Sequence, residues 1–560
     1  FVGDSGDGMQ LTGAQFTSAT AIAGNDLATF PDFPAEIRAP AGTLAGVSGF
    51  QIQFAASDVF TPGDAPDVLI CMNPAALKAN VEQVVRGGTI ILNTDSFTAN
   101  SLRKAGWESN PLEDDTLSEW TVHEVPLESM TLEAIKDLGI ATRTAKMCKN
   151  FLALGIAYWL YNRPMDETLA FIDRKFGPKG PELAEANKRL LKAGWAYGET
   201  CELFPTNFTV SRAKQQPGTY RNIRGNDAVA LGIVAAGHQS GLDVFVGAYP
   251  ITPASDVLHA LANYKEFGVY TFQAEDEIAG VCSAIGSAFA GGLAVTLSSG
   301  PGIALKGEAL GLAHIVELPL VIVNVQRGGP STGLPTKTEQ SDLLQALYGR
   351  NGEAPVAIVA ARSASDAFEA TYEACRLAVK YMTPVMLLSD GFIANGAEPW
   401  KLPELDTLKP FDVKFQTDPE GFQGYVRDEE TLARPWAVPG TPGLEHRVGG
   451  LEKSDGSGNV DYDPMNHDKM CRLRAEKIQR IQQDIPPTEI AGEESGDLLV
   501  LGWGGTYGVL TAAVQNVQKR GHKVSHVHLR HLCPLPADLG DIMSRFKQVL
   551  IPEINLGQLL

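Results

Sequence analysis

Between about residues 226 and 400 the chain repeats one pattern. Short apolar runs, each bounded by a polar or Gly-rich loop and then a helical stretch, recur at Val244–Ala248, Tyr270–Phe272, Ala294–Leu297, Leu320–Val325, Val356–Val359 and Val385–Leu388. Near-continuous apolar character with β-branched residues, rather than strict alternation, is what strands buried on both faces require. Strand, loop, helix and strand again predict a parallel sheet. A weaker version of the pattern precedes it. Val68–Cys71 and Thr89–Leu92 flank a helical stretch from Ala75 to Val85, so residues 1–200 are expected to form a first parallel α/β unit. A third begins at Leu498–Trp503 and continues through a helix near Tyr507–Lys519 to a strand at Lys523–Leu529. The predicted fold class is α/β, built from several parallel-sheet domains.

The breaks in this pattern suggest domain limits. Residues 201–225 read as a linker between the 1–200 and 226–400 domains, and 486–560 as a C-terminal α/β domain. Residues 401–462 are rich in Pro, Gly and charge, with little periodicity; an ordered crossing segment, a linker and a lid all fit. A helix then runs to Ile485. Asp463 suits its N-cap and Pro464 its first position. The first residues resemble a strand entering a Gly turn and the last a strand with little after it, so the natural chain is expected to continue beyond both ends.

Composition narrows the partners. The 560 residues carry 46 basic and 66 acidic side chains, a net charge of −20, which argues against nucleic acid or an anionic membrane as the main partner. No apolar stretch has the length of a membrane span, and a cytoplasmic protein is expected. The seven cysteines, Cys71, Cys148, Cys201, Cys282, Cys375, Cys471 and Cys533, show no CxxC spacing. A disulfide framework or a local metal or iron–sulfur ligand set is therefore not expected, and most of these thiols are read as core residues.

Four loops follow consecutive strands of the second unit. The first, Tyr249–Ser255 (YPITPAS), is stiffened by two prolines and presents Thr252 at a strand's carboxyl end, where ligands bind in open α/β sheets. A plain turn capped by Thr252 or Ser255 is the structural alternative. The second loop leads into a helix with Glu275, Asp276 and Glu277 at its start and small residues along its length. Helix-dipole pairing explains one or two of these acids. A nearly all-apolar helix is expected to be buried, which makes a carboxylate at its mouth an acid/base candidate. The third loop is Ser298–Gly302. The fourth, Gln326–Gln340, gathers Arg327, Thr332, Thr336, Lys337 and Thr338 among glycines and prolines, a composition suited to an anion. In a parallel sheet all four loops share one edge. The Gly3–Gly8 turn is a weaker nucleotide candidate, since no Gly-Lys-Ser/Thr follows it.

Together, Tyr249–Ser255, the Glu277 helix, Ser299–Gly302 and Gln326–Gln340 resemble the α subunit of the 2-oxoacid:ferredoxin oxidoreductases, closest to the 2-oxoglutarate branch, in which a γ-type domain (here 1–200) precedes the thiamine-pyrimidine domain. Gly3–Gly13 resembles the opening of that γ domain. The resemblance implies a thiamine-diphosphate pyrimidine-binding fold at 226–400 and a transketolase C-terminal-like domain at 486–560. It implies reversible conversion of 2-oxoglutarate and coenzyme A to succinyl-CoA and CO2, with electrons passed to ferredoxin. It places Glu277 on the pyrimidine N1′, ahead of Glu275; Tyr249, Pro250, Ile251 and Gly300 beside the cofactor; and Thr252, Arg327 and Thr336 on the 2-oxoacid. Lys337 is expected, from its charge, to meet the second carboxylate. The chain lacks the family's diphosphate and Mg2+ motif and its cluster cysteines. A separate β subunit is therefore expected to carry Mg2+, the diphosphate site and a [4Fe-4S] cluster, in an (αβ)2 assembly. Alternatives are a pyruvate or branched-chain homologue, and a non-catalytic nucleotide- or coenzyme-A-binding protein.

Overall fold

The computed structural model describes residues 1–34, 39–200 and 207–560, so Cys201 and the start of the expected linker lie outside the described residues. The chain divides into two compact units, Phe1–Asn222 and Ile223–Leu560. Among the described residues no helix is long and apolar enough to cross a membrane, and the six described cysteines are free thiols.

The first unit holds a six-stranded sheet of β1 (Val2–Asp4), β2 (Asp26–Asp32), β3 (Val47–Ala55), β4 (Val68–Cys71), β5 (Thr89–Asn93) and β6 (Thr121–Val125), in the order β2-β3-β1-β4-β5-β6. The β1, β4, β5 and β6 strands run parallel as expected. The other edge does not: β3 is antiparallel to both β1 and β2, so this sheet is mixed. Helices Lys149–Leu160 and Pro181–Thr200 meet backbone to backbone, where a methyl added at Gly155 would lie 2.1 Å from the Leu191 carbonyl and one at Gly194 2.0 Å from that of Leu152. The Gly3–Gly8 turn is filled from within. Asp7 accepts from the Asp4 N–H (2.9 Å) and pairs with Lys149 (2.9 Å), while Asp4 accepts from Gly42 (3.0 Å). Carboxylates hold the place that an anion-binding turn leaves for phosphate.

The second unit contains β7 (Tyr220–Arg224, entering from the first), β8 (Val244–Ala248), β9 (Val269–Gln273), β10 (Leu293–Ser298), β11 (Leu320–Gln326), β12 (Ala357–Ala360), β13 (Pro384–Asp390), β14 (Ala397–Lys401), β15 (Gly496–Trp503), β16 (Val524–Leu529), β17 (His531–Cys533) and β18 (Phe546–Leu550). Seven of these form a sheet in the order β17-β12-β13-β11-β10-β8-β9. It is parallel except for β17, which the C-terminal stretch adds antiparallel to β12. A three-stranded parallel sheet, β16-β15-β18, completes that stretch. The chain passes from β8 to the β9 edge and returns on the far side of β8 as β10. That reversal is a topological switch point, where open α/β sheets leave a crevice.

Residues 401–463 hold little regular structure but are firmly pinned. Tyr425 is fully buried, and Arg434 donates through Nε to the carbonyls of Val316 (2.9 Å) and Glu317 (3.0 Å). The Glu317 carboxylate is buried between Lys477 and Arg427. Burial opposes its charge, but these cations outweigh it and hold the carboxyl down at about 2. Asp463 caps the helix Pro464–Arg480 through Met465 N, with Pro at the first position.

Candidate active site at the sheet's carboxyl edge

Because β8, β9, β10 and β11 are parallel and contiguous in the sheet, the four loops leave it along one edge. Side chains then join them in pairs. Arg327 donates to the carbonyl of Thr252 (2.7 Å) and to that of Thr332 (3.1 Å), which ties the first loop to the fourth. Asp342, just past the fourth loop, accepts from Asn324 Nδ2 (3.0 Å) and receives a short approach from Gly300, where an added methyl would lie 3.3 Å from its carboxylate. Glu277, from the second loop, lies against Gly302 of the third: a methyl on Gly302 would meet Glu277 Oε1 at 3.0 Å.

The three acids separate by role. Asp276 is the N-cap of helix Glu277–Phe289, its side chain accepting from Ala279 N at 2.8 Å. Glu275 is exposed. Glu277 is 9% exposed, and among the described residues nothing hydrogen-bonds its carboxylate. Capping is therefore met by Asp276, and the buried carboxylate is left for another purpose. The small residues explain how it comes so close to the sheet. Gly280 packs directly on β8, since a methyl on Gly247 would stand 2.3 Å from the Gly280 carbonyl. The helix is not buried all round, however. Ile278, Cys282 and Phe289 are exposed along one side, and Tyr270 and Phe272 are exposed on the neighbouring edge strand β9. In this chain alone the apolar pattern has no cover there.

The first loop is not a side-chain-capped turn. Helix Ser255–Leu261 has no side-chain cap; the Ser255 hydroxyl instead donates to the Ile251 carbonyl at 3.0 Å. Thr252 and Tyr249 are exposed at the edge, with Pro250 and Ile251 half-buried. In the fourth loop, Gly328 and Leu334 form a bridge and the Lys337 carbonyl accepts from Gly328 N at 3.0 Å. Thr336 and Lys337 are half-buried on that hairpin-like excursion. Burial pushes the Arg327 guanidinium below its usual range, and among the described residues its Nε has no partner. The Ser298 and Ser299 hydroxyls are likewise buried without partners. Unsatisfied donors and acceptors at one sheet edge, beside an uncommitted carboxylate, suit a polar ligand.

One residue of this site escaped the sequence reading. Lys306 is 1% exposed at the end of helix Gly300–Leu305, and its ammonium donates to Thr296 Oγ1 (2.6 Å) and to the Leu297 carbonyl (3.2 Å). Burial pushes it down to about 8, and the charge of Glu277 works in the opposite direction. A lysine after an apolar turn reads as a solvated helix end, and no periodicity marks it as buried.

Residues 236–464 match the family profile described as pyruvate flavodoxin/ferredoxin oxidoreductase, thiamine diphosphate-binding. Residues 1–197 match that of pyruvate ferredoxin/flavodoxin oxidoreductase. A 2-oxoglutarate oxidoreductase subunit KorA from Mycobacterium tuberculosis is 56% identical over 561 residues, spanning 100% of this chain and 85% of that protein. The chain belongs to the 2-oxoacid:ferredoxin oxidoreductase family. A 2-oxoglutarate synthase subunit KorA from Archaeoglobus fulgidus is 32% identical over 60% of the chain and 89% of its own length. Among solved structures, the 2-oxoglutarate:ferredoxin oxidoreductase of Magnetococcus marinus, with 2-oxoglutarate, coenzyme A and succinyl-CoA bound, superposes with a TM-score of 0.86. It is 32% identical and covers 100% of this chain and 92% of its own. As an oxidoreductase of this family, the chain carries the thiamine diphosphate-binding domain at residues 236–464.

Proposed function

We propose that this chain is the α subunit of a 2-oxoglutarate:ferredoxin oxidoreductase, converting 2-oxoglutarate and coenzyme A reversibly to succinyl-CoA and CO2 with two electrons passed to ferredoxin. The observation that carries the site assignment is Glu277, a residue only 9% exposed whose carboxylate no group among the described residues hydrogen-bonds and which Asp276 relieves of capping.

The residues present fit the aminopyrimidine end of thiamine diphosphate. Glu277 would share a proton with the ring nitrogen N1′, with Tyr249, Pro250, Ile251 and Gly300 forming the walls. When bound, the cofactor supplies a nucleophilic carbon for the keto group of the substrate. The chain's own part is to hold a proton at Glu277, to place the 2-oxoacid and to keep the site dry. Arg327, already fixed to two backbone carbonyls, offers its unpartnered Nε edge to the substrate's carboxylate, beside Thr252 and Thr336. Lys337 offers a cation for the second carboxylate, which pyruvate lacks. Mg2+, the diphosphate and a [4Fe-4S] cluster belong to a partner β subunit in an (αβ)2 complex. The exposed row Tyr270, Phe272, Ile278 and Phe289 beside Glu277 is the surface that such a partner would cover.

The test is viologen reduction by the chain alone and by the chain with its β partner, given coenzyme A and either 2-oxoglutarate or pyruvate. The reading expects activity in the complex only, with 2-oxoglutarate preferred. Activity of the chain alone would refute the divided site, and preference for pyruvate would refute the substrate.

A further inference from the structure

Helix Pro464–Arg480 carries a histidine and a cysteine four residues apart, His467 and Cys471, a spacing that puts both side chains on one face. The irregular segment before the helix brings Glu452 to the same face. His467 Nδ1 lies 2.7 Å from Glu452 Oε2, and Cys471 Sγ lies 3.9 Å from His467 Nδ1 and 3.7 Å from Nε2. A nitrogen, a sulfur and a carboxylate oxygen thus fall within 4.8 Å of one another, and no other group of three such donors converges this closely among the described residues. Cysteine spacing along the chain conceals the group, because its third donor comes from 15 residues before the histidine.

The carboxylate is held firmly. Arg474, itself 4% exposed, donates to both its oxygens, Nη1 to Oε1 at 3.1 Å and Nη2 to Oε2 at 3.0 Å, and Lys453 N donates to Oε1 at 3.0 Å. An ion pair accounts for this fork, and a hydrogen bond accounts for His467. Neither employs the Cys471 thiol, which faces both the imidazole and the Arg474 guanidinium, 3.6 Å away. A metal ion would employ all three. On a tetrahedral zinc, arms of about 2.3 Å to sulfur and 2.0–2.1 Å to nitrogen hold the two donors about 3.5 Å apart, close to the separations between Cys471 and His467. Nitrogen and oxygen ligands stand about 3.3 Å apart, so the His467–Glu452 pair would open by about half an ångström as the metal replaces the proton between them. Thiolate, carboxylate and neutral imidazole together neutralise a divalent ion, so Arg474 would face no net charge from the filled site. The His467 side chain is 62% exposed, which leaves a path from solvent and room for a water as fourth ligand. Thiolate and imidazole favour zinc over Ca2+ and Mg2+, which take oxygen ligands.

We propose that Glu452, His467 and Cys471 form a zinc-binding site that fastens segment 401–463 to helix Pro464–Arg480. Arg474 and Lys453 N orient the ligating carboxylate, as the hydrogen-bonding partners of metal ligands do. Because the donors come from two stretches of chain that meet only on folding, the ion binds the folded state and stabilises it by mass action.

The experiment uses the full chain, reduced and freed of metal with a chelator, titrated with Zn2+ by calorimetry and with Co2+ by absorbance. Zn2+ should bind, with an affinity that falls about tenfold or more in Cys471→Ser and in His467→Ala. Co2+ should develop a thiolate-to-cobalt charge-transfer band that is lost in Cys471→Ser and kept in Cys282→Ser, whose thiol is the exposed one. Glu452 also holds Arg474, so its own substitution would confuse ligation with folding; the Cys471 and His467 variants leave that fork intact and should keep the circular dichroism of the unaltered chain. Zn2+ should raise the thermal midpoint of the unaltered chain and not that of Cys471→Ser. A charge-transfer band that survives Cys471→Ser, Zn2+ binding equally tight in both variants, or binding no tighter than that of a lone surface imidazole would overturn the proposal.

Discussion

Gly302→Ala is the sharpest steric probe of the site. The new methyl would lie 2.1 Å from Ser298 Oγ, 2.9 Å from Glu277 Cγ and 3.0 Å from Glu277 Oε1. Non-bonded carbon atoms rest about 3.5–4.0 Å apart. The Ser298 hydroxyl must therefore rotate away, and the Glu277 side chain must retreat by roughly half an ångström or more. Alanine is the better helix former, by about 0.8–1 kcal/mol in a helix interior, so lost helix propensity cannot be the cause of any defect. If Glu277 serves as proposed, its displacement is costly, because a misplacement of about 1 Å can lower a rate about a hundredfold. The expected result is a loss of about ten- to a hundredfold in kcat/KM for 2-oxoglutarate in the viologen assay, with a thermal midpoint near that of the unaltered protein. Gly311→Ala serves as the control, since a methyl there meets nothing within 4 Å. Unchanged kcat/KM in Gly302→Ala would refute the placement of Glu277 in the reacting site.

Other outcomes follow from the same structure. Arg327→Lys removes the forked clasp on Thr252 and Thr332 and should raise KM for 2-oxoglutarate about tenfold, with a smaller effect on kcat, because an ammonium cannot reproduce two-point binding. Gly194→Ala should destabilise the first unit by about 1–3 kcal/mol, measured by urea denaturation, since the methyl meets the Leu152 carbonyl. For Glu317 the carboxyl is depressed from 4.5 to about 2, so its contribution is complete above about pH 4.5 and is lost as pH falls toward 2. The urea midpoint should drop across that interval. Glu317→Gln should lower it at neutral pH, because Lys477 and Arg427 lose their counter-charge, and should flatten the acid dependence.

The sheet that carries the site was legible because its strands are apolar on both faces and its loops are punctuated by Pro and Gly. Every strand expected from Val244 to Leu388 is present within a residue or two. The helix from Pro464 was legible from its cap and its proline. The antiparallel edge of the first sheet was not, because β2 and β3 carry Pro31, Gly49 and several polar positions that obscure their period. The insertion of β17 was also hidden, since three residues carry no usable period. Among the acids, the family resemblance favoured Glu277, but only burial and the hydrogen bond at Asp276 separate cap from candidate base. Lys306 stayed invisible for the opposite reason: nothing in its neighbours' composition says that a helix end lies beneath a crevice. The apolar helix was read as wholly buried, and its exposed side shows that composition alone does not distinguish a core from a surface awaiting a partner.

The most direct measurement is the rate of Glu277→Ala in the complex with the β subunit, with 2-oxoglutarate, coenzyme A and a viologen acceptor. Loss of the Glu277 carboxylate should lower kcat by about a hundredfold or more, the low end for a positioned acid–base group, while the exposed Glu275→Ala should keep most of its activity. Equal activity of Glu277→Ala and the unaltered complex would contradict the account.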